Sequence, residues 1–143
     1  RPLAERGRKD ARRVGRTLRK LGLVPDRILC SPAIRTRETV VALLEKLRQT
    51  PPIQIEESIY EASVGALVHL LRGQQQADRL LLVGHNPGLE ELVARLISQG
   101  SGSMVLSTAS LAQIDFDIDD WDDIVEVPGR LIFLIGPESL REL

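Results

Sequence analysis

Apolar positions along the chain recur with two periods, and the change from one to the other predicts where helices and strands lie. Between Leu3 and Leu21, the residues Ala11, Val14, Gly15, Leu18 and Leu21 return at helical spacing while Arg and Lys fill the other face. A basic amphipathic helix ended by Gly22 is expected there. Arg27-Ile28-Leu29-Cys30 is then a short apolar run that predicts a strand. Ser31-Pro32 follows it as a helix start, with Ser as N-cap and Pro at the first helical position. This second helix is expected to run to about Gln49 with Val40, Leu43, Leu44 and Leu47 inward, until Thr50-Pro51-Pro52 stops it.

Ile53 to Glu57 alternate apolar and polar, which predicts a short strand, and Ser63 can cap a third helix carrying Leu67, Leu70 and Leu71 and closed by Gly73. Arg79 to Val83 is the clearest buried strand, and Gly84-His85-Asn86-Pro87 turns it into a helix with Leu89, Leu92, Val93, Leu96 and Ile97 inside. The tail changes character: Leu111 to Ile118 alternates and Leu131 to Ile135 is a second run, with an acidic stretch mostly between them. No repeat, low-complexity tract or long linker divides residues 1–143, so one α/β domain is expected. Its architecture is a three-layer sandwich, a mainly parallel sheet with helices on both faces and an antiparallel strand near the C-terminal end.

Composition narrows the class. With 43% hydrophobic residues over 143 positions the chain can bury a real core, which argues against disorder. No apolar run approaches the roughly 18 to 20 residues of a membrane-spanning helix, and no basic-then-apolar leader opens the chain, so a soluble domain without a membrane partner is expected. One cysteine, Cys30, and two histidines make neither an internal disulfide nor a typical structural zinc site, and a reducing, cytoplasmic setting fits them. The net charge of −1 hides a division: residues 1–48 hold 14 Lys/Arg against 5 Asp/Glu, and the remainder 5 against 15. A basic segment suits an acidic partner or a phosphorylated substrate, and equally a solvated helix face.

Two places share one design, a buried strand that breaks at Ser31-Pro32 or at His85-Asn86-Pro87 and restarts as a helix. In a parallel sheet, sites lie beyond the carboxyl ends of the strands, where helix N-termini offer free N–H groups to an anion. Arg35, in the first turn of its helix, and His85, in the other turn, can reach one phosphate if their strands are near neighbours. Ser31 and Asn86, at the same two turns, are further candidates to touch substrate. Taken alone, His85 reads as a turn residue bonding backbone and Arg35 as a solvated helix residue; the recurrence of the design carries the functional reading. Cys30 reads as inert core, and His69, inside the third helix, as structural or solvent-facing.

Ser31-Pro32-Ala33-Ile34-Arg35-Thr36-Arg37-Glu38-Thr39, followed 50 positions after Arg35 by Gly84-His85-Asn86-Pro87, resembles the histidine phosphatase superfamily, whose fold is phosphoglycerate-mutase-like. Arg1-Pro2-Leu3 leading to Glu5-Arg6-Gly7, and the segment Ile59-Tyr60-Glu61-Ala62, are similar to its small protein-phosphohistidine phosphatase branch. The resemblance implies a phosphoenzyme mechanism with no metal and no cofactor, in which a histidine of an Arg-His motif attacks phosphorus. It implies that Arg35 is the second phosphate-binding arginine, His85 the second catalytic histidine and Glu61 the general acid. A phosphohistidine substrate has less need of that acid, because its leaving imidazole titrates near neutrality.

The sequence departs from that pattern at the nucleophile, since it contains no Arg-His pair. Losing an interior strand would cost far more than the roughly 5 to 15 kcal/mol a domain has in hand, so a strand carrying the motif is expected upstream of Arg1. The expected function is hydrolysis of a phosphorylated histidine on a partner protein. Its rivals are a phosphatase of a small phosphomonoester and, for the chain by itself, a phosphate-binding module without turnover. Nucleic acid is not expected as a partner, because none of the four aromatics, Tyr60, Phe116, Trp121 and Phe133, falls in the basic helix.

Overall fold

The computed structural model describes residues 2–98, 106–107 and 109–142; Arg1, which opens one of the signature segments, lies outside them. Helix α1 (Glu5–Lys20) packs its Ala11, Val14 and Leu18 face against α2 (Ile34–Leu47), whose Leu43 and Leu47 join the same core. Across the seam Arg8 pairs with Glu38 and Arg12 with Glu45, so part of the basic face of α1 is neutralised by α2. Strand β1 (Arg27–Cys30) lies between β2 (Ile53–Ile55) and β3 (Leu80–Val83), parallel to both, with Ile28 opposite Ile53 on one side and Leu81 on the other. Along β1 the pleat sends Ile28 and Cys30 toward Val40 of α2, and Leu29 toward α3 (Val64–Arg72) and α4 (Gly88–Ser98).

Strands β4 (Leu111–Asp115) and β5 (Arg130–Ile135) form a separate antiparallel pair. Leu111, Phe133 and Ile135 pack with Leu81 of β3 in the α1–α2 core, while Ile114 packs with Leu80 and Leu82 in the α3–α4 core. The two sheets therefore serve the same two cores and make one middle layer, which gives the expected three-layer α/β sandwich. The closing pair is expected to add an antiparallel strand to the parallel sheet, and among the described residues it forms a sheet of its own. A last helix, α5 (Pro137–Glu142), had no sequence signal; Arg141 on it reaches the buried Asp10 of α1 at 3.1 Å.

Several boundaries differ from the periodicity for identifiable reasons. Helix α2 begins at Ile34 with Ala33 as N-cap, rather than at Ser31-Pro32, because Ala33 keeps an extended backbone at φ −60° and ψ 146°. It stops at Leu47, two residues early, where Arg48 takes a left-handed backbone conformation. β3 starts at Leu80 and is only half-buried throughout, and β4 ends at Asp115 instead of Ile118. Ser63 does cap α3, its hydroxyl accepting from the Ala66 N–H at 3.1 Å, and Gly73 closes that helix.

Candidate active site

Because β1 and β3 are adjacent, parallel and in register, with Cys30 opposite Val83, their carboxyl ends deliver Ser31 and Gly84-His85 side by side. The Ser31 N–H donates to the Val83 carbonyl at 3.1 Å, and the Ser31 hydroxyl and His85 Nε2 are hydrogen-bonded at 2.7 Å. Beyond these ends opens a cavity of about 690 Å³ lined by Ala33, Arg35, Tyr60, Glu61, Ala62, His85, Asn86, Pro87 and Gly88. It lies at the N-termini of α2 and α4, whose free N–H groups and dipoles favour an anion.

The third wall is the turn that follows β2 and the short 3-10 helix at Glu57–Ile59. It approaches the His85 turn closely: a Cβ on Gly84 would lie 2.8 Å from Ile59 Cγ2, so something would have to shift, and one on Gly88 would crowd the Ala62 carbonyl oxygen at 3.0 Å. Glu61 sits in that turn at φ +50°, a left-handed conformation that costs a non-glycine residue roughly 1 kcal/mol or more. The Tyr60 ring stands edge-on to His85 at 5.7 Å and 89°.

Burial pulls the His85 pKa below the ordinary imidazole value and the Arg35 guanidinium pulls it further, while the Glu61 carboxylate opposes both. His85 is thus held toward its neutral form beside a fixed cation. The Arg35 side chain is exposed at the start of α2 and has no ion-pair partner among the described residues. An arginine fork, an imidazole and two helix N-termini converging on one cavity can bind a tetrahedral oxyanion and stabilise added charge on it. Among the described residues no group of three or more His, Cys, Asp or Glu gathers to hold a metal ion.

The structure brings together four of the five residues singled out in the sequence, Arg35, Glu61, His85 and Asn86, on the wall of this cavity. Asn86 also donates from Nδ2 to the Leu106 carbonyl at 2.9 Å. Ser31, expected to touch substrate, is 0% exposed and lines no part of the cavity; its hydroxyl is engaged by His85, so it reaches the site only through that ring. Cys30 is buried in β1, and burial pushes its thiol pKa up, as inert core requires. His69 is exposed on α3, away from the cavity lining. Sequence reasoning missed Tyr60 as a wall of the cavity; the only signal was its place beside Glu61 in the signature segment.

The profile of the histidine phosphatase superfamily (branch 1) matches residues 1–80, more than half of the chain. The chain belongs to the histidine phosphatase superfamily. Both arginine-bearing signatures of this histidine phosphatase chain fall inside the matched region, and His85 follows it by five positions. An uncharacterised chloroplast protein of Arabidopsis thaliana is 28% identical, covering 97% of this chain and 69% of its own length. An uncharacterised Mycobacterium tuberculosis protein is 34% identical over 68% of this chain, and the match spans 60% of that relative. Among solved structures, SixA from Nakamurella multipartitia superposes with a TM-score of 0.85 at 22% identity, covering 96% of this chain and 85% of that one. The protein histidine phosphatase SixA complexed with tungstate gives 0.84 at 21%, covering 98% and 86%. These neighbours share the fold described above. Among the described residues no helix is long and apolar enough to cross a membrane.

Proposed function

We propose that this chain forms the phosphoryl-binding body of a phosphohistidine phosphatase that acts on a partner protein. The observation that carries the reading is the convergence of Arg35 and His85 on one cavity at the carboxyl ends of two adjacent parallel strands. Phosphoryl transfer is mostly positioning and charge stabilisation, and both groups are fixed at helix starts where they can supply it without a metal ion. The tungstate complex of the similar SixA supports the choice of a tetrahedral oxyanion as ligand.

The nucleophile in this reading is a histidine on a strand of about five to seven mostly apolar residues. The strand ends in Arg-His followed by a small residue, precedes Arg1 in the encoded protein and pairs with the free edge of β3. Two observations support it: among the described residues β3 is hydrogen-bonded to a strand on one edge only, and β4–β5 packs into the same two cores as β3. The histidine nitrogen attacks phosphorus as the bond from phosphorus to the substrate imidazole breaks. The departing imidazole takes a proton, and water then releases orthophosphate from the enzyme.

On the outer face of α1, Arg6, Lys9, Arg16 and Lys20 have no ion-pair partner among the described residues and could steer an acidic partner surface. The single unpaired, buried cysteine supports a cytoplasmic setting. One observation favours a second reading, a phosphatase of a small phosphomonoester: Glu61 is on the cavity wall, where a carboxyl could protonate an alkoxide leaving group.

Brief treatment of the protein carrying its upstream residues with radiolabelled phosphohistidine protein should trap acid-labile, base-stable phosphate on the upstream histidine. Orthophosphate binding with no phosphoenzyme would make the domain a non-catalytic binding module instead. Glu61→Gln separates the substrates: a small loss on phosphohistidine with a large loss on phosphomonoesters fits the first reading, and a large loss on both refutes a dispensable acid.

A further inference from the structure

The hydrogen bond between Ser31 and His85 carries more information than its length. Ser31 is 0% exposed, so its hydroxyl cannot turn to water. Its oxygen already accepts from the Ala33 N–H at 3.3 Å. A serine hydroxyl has one proton to donate, and the acceptor the described residues offer for it is His85 Nε2 at 2.7 Å. Were Nε2 itself protonated, the hydroxyl proton would be left buried and unpaired, at a cost of roughly 1 to 3 kcal/mol.

We infer that Ser31 is a positioning residue that holds His85 in the tautomer protonated at Nδ1, so that the neutral imidazole donates a hydrogen bond to the phosphoryl group in the cavity. The neutral ring has one proton. With Nε2 accepting from Ser31, that proton is on Nδ1, which has no hydrogen-bond partner among the described residues and belongs to a side chain lining the cavity. The Tyr60 ring stands edge-on to the imidazole whose Nε2 is bonded to Ser31. A neutral donor suits the surroundings, because burial and Arg35 both disfavour the imidazolium. In the opposite tautomer a bare Nδ1 lone pair would face the phosphoryl oxygens and repel them. The tautomer itself rests on Ser31 alone; only its use toward phosphoryl oxygens rests on the function proposed above.

Two-bond proton–nitrogen NMR spectra of the nitrogen-15-labelled encoded protein, recorded with His85 neutral and compared with His85→Gln to assign its ring signals, read the tautomer directly. The expected result is a proton on Nδ1 in the wild type and its transfer to Nε2 in Ser31→Ala. Orthophosphate binding, followed at the same signals, should weaken about tenfold in Ser31→Ala, the scale of one charge-assisted hydrogen bond. Ser31→Thr, which keeps the hydroxyl, should restore both. A wild-type proton on Nε2, or an unchanged tautomer in Ser31→Ala, overturns the inference. An Nδ1 proton with His85 signals that orthophosphate does not move would leave the tautomer standing and refute the phosphoryl-site reading.

Discussion

β1 and β3 lie side by side, point the same way and end at the same cavity, yet they are buried to different depths. The first carries an arginine, and its Ile28, Leu29 and Cys30 are each 0% exposed. The second is wholly aliphatic, Leu80-Leu81-Leu82-Val83, and remains half-buried at every position. Their own hydrophobicity would rank them the other way. What differs among the described residues is the number of paired edges, two for β1 and one for β3, so each side chain of β1 is flanked on both sides by neighbouring strands. In a layered fold, the burial of a strand is set by what stands beside it as much as by its residues.

The largest expected effect tests that difference in depth. Leu29→Ala removes a fully buried side chain packed among α3 and α4 and should cost about 3 to 5 kcal/mol, whereas Leu82→Ala, on half-buried β3, should cost roughly 1 to 2 kcal/mol. Urea unfolding of both variants measures the gap. Equal losses would break the comparison.

The same comparison explains how much was legible in the sequence. Periodicity found the five strands and the first four helices of the described residues, because apolar spacing is a local property of the chain. The depth of β3 was not legible, since edge pairing is decided by residues distant in sequence. The start of α2 was misplaced for a related reason. Ser31-Pro32 has the local chemistry of a cap, and the Ser31 oxygen does accept from the Ala33 N–H, but Ala33 stays extended and the same hydroxyl also bonds His85, 54 residues away. Ser63 has the same chemistry without such a competitor and caps its helix as expected. Arg35 and His85 were legible as a pair because both follow a strand, while Tyr60, in a turn after an edge strand, gave no periodic signal.

At their carboxyl ends the two strands contribute one donor each, and the next effect compares those donors. Arg35→Ala and His85→Ala, in the protein carrying its upstream residues, should each lower turnover roughly a hundredfold while leaving the fold intact. Steady-state rates with circular dichroism check both halves of the expectation. Wild-type turnover in either variant would return that residue to the surface or turn role its sequence context allows.

A smaller effect concerns how β1 accommodates its arginine at all. Arg27 Nη1 donates to Gln74 Oε1 at 2.9 Å, and the buried Gln74 donates from Nε2 to the Leu70 carbonyl at 3.1 Å. Gln74→Ala leaves the guanidinium one acceptor short at the β1 entrance and should cost about 1 to 2 kcal/mol in urea unfolding. A loss within error would mean that Arg27 is solvated and that β1 is less enclosed than β3's comparison with it requires.

The smallest effect, a dependence on pH, separates the two strand ends by sign. Burial disfavours charge at both, but His85 is neutral at high pH and Cys30 at low pH. His85 has its folded pKa lowered, chiefly by burial and then by Arg35, so between that value and the unfolded value of about 6.5 the unfolded chain binds the proton first. Stability from this group is complete above pH of about 6.5 and is lost as pH falls through that window. Cys30 has its folded pKa raised, chiefly by burial, so its contribution is complete below the unfolded value of about 8.5 and is lost as pH rises. Thermal unfolding from mildly acid to alkaline pH should therefore show two shallow declines. His85→Gln should flatten only the acid one and Cys30→Ala only the alkaline one. A His85→Gln variant that keeps the whole acid decline would mean that other groups carry it, and the neutral-imidazole reading of the β3 end would lose this support.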